Sequence, residues 1–155
     1  MSINFIGDGG HAKVCRELDL VGPGYFIAIG DNAARKHEAE SRDVLFATLI
    51  HPSATISPSA FIQYGSVIMA GAIVQAGAVI GRHCILNTGC SVDHDCVLED
   101  FVHIAPGAHL CGGVKVGEGA LIGVGVGLEP GVVIPAWSIV RRIPYAISLP
   151  DHQTA

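Results

Sequence analysis

The 155-residue chain has no run of basic residues: nine lysines and arginines are scattered among fourteen acidic side chains, for a formal net charge of −5. Without a basic run there is no electrostatic footprint for nucleic acid or an anionic membrane surface, and small ligands are the expected partners. No stretch of about 20 residues is apolar without a glycine or polar interruption, so no membrane-spanning helix is expected. Met1 to Phe5 leads straight into a glycine turn and lacks the pattern of a secretory leader, which makes the cytoplasm the expected compartment. The five cysteines show no disulfide framework. Cys84, Cys90 and Cys96 fall on a repeat position that otherwise takes small residues, Cys15 falls on an expected helix, and only Cys111 is placed for exposure. Nothing near Cys111 in sequence marks a lowered thiol pKa, so it is a weak nucleophile candidate.

What the chain has in abundance is a period of six. An aliphatic residue stands at every sixth position from Ile50 through Ile68, Ile80, Val92, Leu110 and Ile122 to Val140. That spacing fits neither a helix nor a simple strand, and it is the hexapeptide repeat of a parallel β-helix. Four residues after each ladder position comes a small side chain such as Ala72, Ala78, Cys90, Ala108 or Ala120. Three residues after it glycine recurs (Gly65, Gly71, Gly77, Gly89, Gly107, Gly113, Gly119, Gly125, Gly131), as a turn with positive φ requires. Three hexapeptides make one triangular coil, so residues 50–140 supply about five coils, a prism roughly 24 Å tall at ~4.8 Å per coil.

Residues 1–48 have another rhythm. Ile3 to Ile6 reads as a strand, Ala12 to Leu20 as a helix, Tyr25 to Ile29 as a strand, Asn32 to Glu40 as a helix and Val44 to Leu49 as a third strand. That is a small Rossmann-like βαβαβ cap. The β-helix then spans 49–143 and a polar tail 144–155. Gly7, Gly9 and Ala12 meet the G-x-G-x-x-G/A spacing between a strand and a helix, where backbone N–H groups can receive phosphate. The same residues would also serve a tight strand-to-helix turn with no ligand. Asp31 and Asn32 follow the second strand at its carboxyl end, where open α/β sheets bind ligands, and either also suits a helix N-cap.

Four blocks carry a family resemblance: residues 5–14 (Phe5-Ile6-Gly7-Asp8-Gly9-Gly10-His11-Ala12-Lys13-Val14), 26–32 with Arg35-Lys36, 49–54, and 87–96 (Asn87 to Cys96, including Asp93-His94-Asp95). In that order the chain resembles the hexapeptide-repeat sugar O- and N-acetyltransferases of the sialic acid O-acetyltransferase type, and the bacillosamine-pathway N-acetyltransferase. The resemblance implies a left-handed β-helix, against the usual right-handed crossover, and a homotrimer with acetyl-CoA at its interface. It also implies an amino-terminal domain holding a nucleotide-linked amino sugar in bacterial surface-glycan biosynthesis. Carried over, the general base falls on His94, its carboxylate partner on Asp95, a second active-site histidine on His103, and the N–H facing the thioester carbonyl on Gly112. The acceptor is assigned to the cap residues Gly7, Gly9, Gly10, His11, Asp31 and Asn32, and CoA to Gly112, with Ala76 from the coil stacking and Arg141 and Arg142 as charges for its phosphates. No metal is implied. The chain departs from the family pattern in a shorter cap and in lacking a final coil and its closing segment.

The residues carry part of this by themselves. His94 lies two positions past ladder residue Val92, hence at a turn, between Asp93 and Asp95. A carboxylate beside an imidazole raises its basicity and fixes its tautomer, as general-base catalysis requires. Residues eighteen apart stack, so Ala76, His94 and Gly112 form one column, with the glycine N–H about 5 Å from the base for a developing oxyanion. Lys13, Lys115 and Arg141 or Arg142 suit CoA phosphates as well as they suit solvent. The expected chemistry is direct acetyl transfer without an acyl-enzyme. Three other readings stay open: O-acetylation of sialic acid or a similar sugar, a non-catalytic trimeric scaffold, and a zinc carbonic anhydrase of the β-helical kind. The last needs three of His83, His94, His103 and His109 to converge across an interface.

Overall fold

The computed structural model describes residues 3–18 and 24–141. From Leu49 onward each hexapeptide supplies one two-residue strand, whose second residue is the ladder position, followed by a turn. Sixteen such strands among the described residues form three parallel sheets, the faces of a left-handed prism. The first face runs Leu49–Ile50, Val67–Ile68, Ile85–Leu86, His103–Ile104, Leu121–Ile122, Ile139–Val140. The second begins with Thr55–Ile56 and includes Ser91–Val92 and His109–Leu110; the third begins with Phe61–Ile62 and includes Val97–Leu98 and Lys115–Val116. Every pairing is in parallel and eighteen residues apart, as in Ser91↔His109 and Val92↔Leu110.

The interior is what the period demands. Ladder residues from Ile68 to Leu128 and the small residues Ala72, Ala78, Cys84, Cys90, Cys96, Ala108 and Ala120 make one buried core. Each fully buried aliphatic contributes about 1.5–3 kcal/mol. Ile50, with no coil on its outer side among the described residues, is 45% exposed. All nine glycines expected at the turns have positive φ, from 63° to 74°. His83, Asp95, Phe101 and Trp137 hold the same turn position with φ of 53° to 62°, where L-residues are strained.

In the cap, β1 (Ile3–Ile6) pairs in parallel with β2 (Gly24–Ile27), followed by α2 (Asn32–Glu40), while α1 (Gly10–Arg16) links the strands. The second strand is shorter than expected because Gly7, at φ 112°, turns the chain away against the Ala28 carbonyl. The expected helix Ala12 to Leu20 starts at Gly10 and ends at Arg16; Asp19 and Leu20 lie outside the described residues. The expected third strand, Val44 to Leu49, is reduced to one bridge, Tyr25↔Phe46. Its last apolar residue belongs to the prism: Leu49, Val67 and Ile85, facing outward on the first face, are buried under Ala12, Cys15, Phe26 and Ala28 of the cap. The cap therefore closes its core only on the β-helix.

One side chain fastens the two. Arg35 of α2 is 1% exposed. Its guanidinium donates to the carbonyls of Ile29 (3.0 Å) and Gly30 (3.1 Å) and to Asn32 Oδ1 (2.8 Å) in the cap. It also donates to the carbonyls of His83 (2.8 Å) and Phe101 (2.8 Å) in the prism. This uses the planar five-donor fork that only arginine has. Burial lowers its pKa to about 10, which leaves it charged at neutral pH. Lys36 adds ion pairs to Glu118 and Glu40 and lies over the Phe101 ring.

Candidate active site

The vertex between the second and third faces carries His94. Its ring is exposed, and Nδ1 lies 2.8 Å from Asp95 Oδ2, so the neutral ring has its proton on Nδ1 and a lone pair on Nε2. The hydrogen bond that Nδ1–H donates to Asp95, then the charge of Asp93, raises the His94 pKa above its ordinary value. Asp95 reaches this position from a left-handed turn (φ 58°), leaning over Gly77, where any Cβ would come within 2.7 Å of Oδ1. One coil along the column, His94 Nε2 lies against Gly112: a Cβ there would sit 2.5 Å from that nitrogen. Glycine is needed at 112 for space. Among the described residues nothing accepts from the Gly112 N–H, while the flanking Cys111 and Gly113 N–H groups are bound to Leu128 and His94 carbonyls. A lone pair and a free donor thus sit side by side, the pairing that acyl transfer uses. Ala76 and Asp95 are joined through the Asp95 N–H to the Ala76 carbonyl at 3.0 Å.

A second cluster forms where the cap meets the first face. His103 projects outward there, and Asn87 Nδ2 lies 3.2 Å from its Nε2. Burial, then Arg35 and His11, lower the His103 pKa to about 4; burial, then Arg35, do the same for His11. Both rings are neutral at pH 7. His103, Gly30, Asp31, Asn32, Leu121 and Trp137 help to line a cavity of about 190 Å³. Asp31 is the N-cap of α2, its Oδ1 accepting from the Ala34 N–H at 2.8 Å, and Asn32 Nδ2 donates to the Gly119 carbonyl at 2.9 Å. Gly9 caps α1, and a Cβ at Gly9 or Gly10 would meet nothing within 4 Å, so the glycine turn opens to free space.

The structure therefore gathers Asp31, Asn32 and His103 in one cavity with His11 close by, and His94, Asp95, Gly112 and Ala76 on one vertex. It does not bring the two groups together within a chain: the second–third vertex is the corner of the triangle opposite the first face, which bears His103. Arg141 is exposed at the far end, and Arg142 lies outside the described residues. His109 is bonded to Ser91 at 2.9 Å, and His83 is buried at the third–first vertex, stacked on Phe101. Among the described residues no three His, Cys, Asp or Glu side chains converge on a point that would hold a metal. Two participants escaped the sequence reading as functional groups. Arg35 was visible only as part of a motif, and Trp137 carried one overlooked signal, a bulky residue where the repeat calls for glycine.

Residues 95–130 match the bacterial transferase hexapeptide family (six repeats). No curated protein matches the chain. Among solved structures it is similar to the acetyltransferase domain of PglB from Neisseria gonorrhoeae, solved with acetyl coenzyme A, at 35% identity over 88% of this chain and 86% of that one (TM-score 0.82). It is equally similar to PerB from Caulobacter crescentus, solved with CoA and GDP-perosamine, at 35% identity over 90% and 85% of the two chains (TM-score 0.82). WeeI from Acinetobacter baumannii, at 23% identity over 74% and 66% (TM-score 0.51), shares the fold. With its repeat matched and its cap and prism covered at 35% identity, the chain belongs to the hexapeptide-repeat acetyltransferases.

Proposed function

We propose that the protein transfers the acetyl group of acetyl-CoA to the amine of a nucleotide-linked amino sugar, in glycan biosynthesis. The observation that carries this is the His94 vertex: an exposed imidazole held by Asp95 at 2.8 Å, its free nitrogen against Gly112. The acceptor amine attacks the thioester carbonyl as His94 Nε2 takes its proton. The Gly112 N–H donates to the tetrahedral oxyanion, and collapse expels the CoA thiolate, which recovers the proton from the imidazolium. Because the amine is mostly protonated near neutral pH, a base of raised pKa suits the step. The complexes of PglB with acetyl coenzyme A and of PerB with CoA and GDP-perosamine support both substrates.

The acceptor belongs in the cavity of Asp31, Asn32 and His103, beside the glycine turn. Since His94 lies on the opposite corner of the prism, a complete site needs His94 of one copy facing His103 of another, as in a ring of three. The test is CoA release from acetyl-CoA with a panel of nucleotide-linked amino sugars and free sialic acid, for wild type and His94→Ala. A loss of about 100-fold or more on an amino sugar is expected. Turnover on sialic acid alone would move the acceptor to a hydroxyl, and turnover unchanged by the substitution would remove His94 as the base. Mixing His94→Ala with His103→Ala, each inactive alone, should restore about a quarter of the sites if they form between copies. No recovery would place each site within one chain.

A further inference from the structure

The turns of this prism favour glycine for a physical reason, because their backbone is left-handed, yet at 137 the chain places its only tryptophan there, at φ 60°. Burial does not explain it: Trp137 is 45% exposed. Its ring lies across Gly119, one coil below, where any Cβ would sit 2.4 Å from the ring. The carbonyl of that same glycine accepts from Asn32 Nδ2 at 2.9 Å. The indole is thereby laid beside the first turn of α2 and forms one wall of the cavity that also holds Asp31, Asn32 and His103. Leu121 and the 58% exposed Ile139 add apolar surface to the cavity, and Gly30 and Asp31 line it with polar groups. A strained backbone, an aromatic side chain left half exposed and polar groups lining the same cavity describe a wall for a ring with polar substituents on its rim.

We propose that Trp137 is a binding and specificity residue for the acceptor, receiving one ring of the nucleotide-linked sugar, base or pyranose, against its exposed face. This rests on the acceptor assigned above. Within the chain Trp137 lines the cavity assigned to the acceptor and not the His94 and Gly112 vertex assigned to acetyl-CoA, so its substitution should act on the acceptor.

The test uses the full chain, whose single tryptophan reports on this wall alone. Titration with nucleotide sugar should change its fluorescence, and saturating CoA should not. A change with free UDP or GDP assigns the wall to the base; a change only with the complete nucleotide sugar assigns it to the pyranose. Trp137→Gly places there the residue that nine of the other turns use, so the thermal midpoint and oligomeric state should hold. Meanwhile KM for the acceptor rises about tenfold or more, as expected for one stacked ring, with KM for acetyl-CoA unchanged. Fluorescence indifferent to an acceptor that the enzyme demonstrably turns over would overturn the proposal and leave the acetyltransferase reading intact. So would a variant that loses its assembly or midpoint while acceptor KM stays the same. Absence of turnover on every nucleotide sugar, by contrast, removes the reading on which this one rests.

Discussion

Replacing Arg35 by alanine removes the donor of five hydrogen bonds, four of them to backbone carbonyls at Ile29, Gly30, His83 and Phe101, in a site where the side chain is 1% exposed. Each carbonyl left without a partner costs about 1–3 kcal/mol, reduced where water enters the vacated volume. A net loss of about 3–5 kcal/mol follows for the four carbonyls together. For a chain of this size that is a fall in Tm of roughly 10 °C. Because the bonds join the cap to the prism, the loss should appear first as release of the cap. Amide exchange in β1, β2 and α2 should quicken while the prism core around Val92 and Leu110 stays protected. Arg35→Lys keeps the charge but not the planar fork, and should recover less than half of the loss. Circular dichroism melts together with hydrogen exchange measure both effects. A midpoint within about 2 °C of wild type, with cap exchange unchanged, would refute the view of Arg35 as the fastener.

Two further outcomes follow from the vertices. Asp95→Asn removes the largest cause of the raised His94 pKa, so the base loses its proton at lower pH than in wild type. The acid limb of kcat/KM should move to lower pH while the plateau falls about tenfold; a limb that stays or moves up would refute the pairing. Gly65→Ala places a Cβ 2.4 Å from the His83 ring at φ 74°. His83 cannot yield, being wedged among Phe46, Tyr64 and Phe101, so denaturant melts should show a loss of about 2–4 kcal/mol from strain and overpacking. Gly107→Ala, whose Cβ would meet nothing within 4 Å, should lose only the strain part.

Residue order alone determined the prism. A six-residue period carries its own geometry: aliphatics from Ile68 to Leu128 can all be buried only if each repeat turns the chain by a third of a coil, and the glycines mark where. The column of Ala76, His94 and Gly112 follows from the same arithmetic, which is why the stacking of the histidine on the glycine was legible in the sequence. The limits of the cap's third strand were not legible, because Leu49 has the same apolar character whether it ends a cap strand or begins the first face. Only tertiary packing under Ala12 and Phe26 decides between them. The role of Arg35 also needed the fold, since its five acceptors are mostly backbone carbonyls, which any sequence supplies and only folding brings together. The separation of His94 from His103 belongs to the same class. Nine residues apart in sequence, they sit at a corner and on the opposite face because one and a half hexapeptides carry the chain halfway around the triangle.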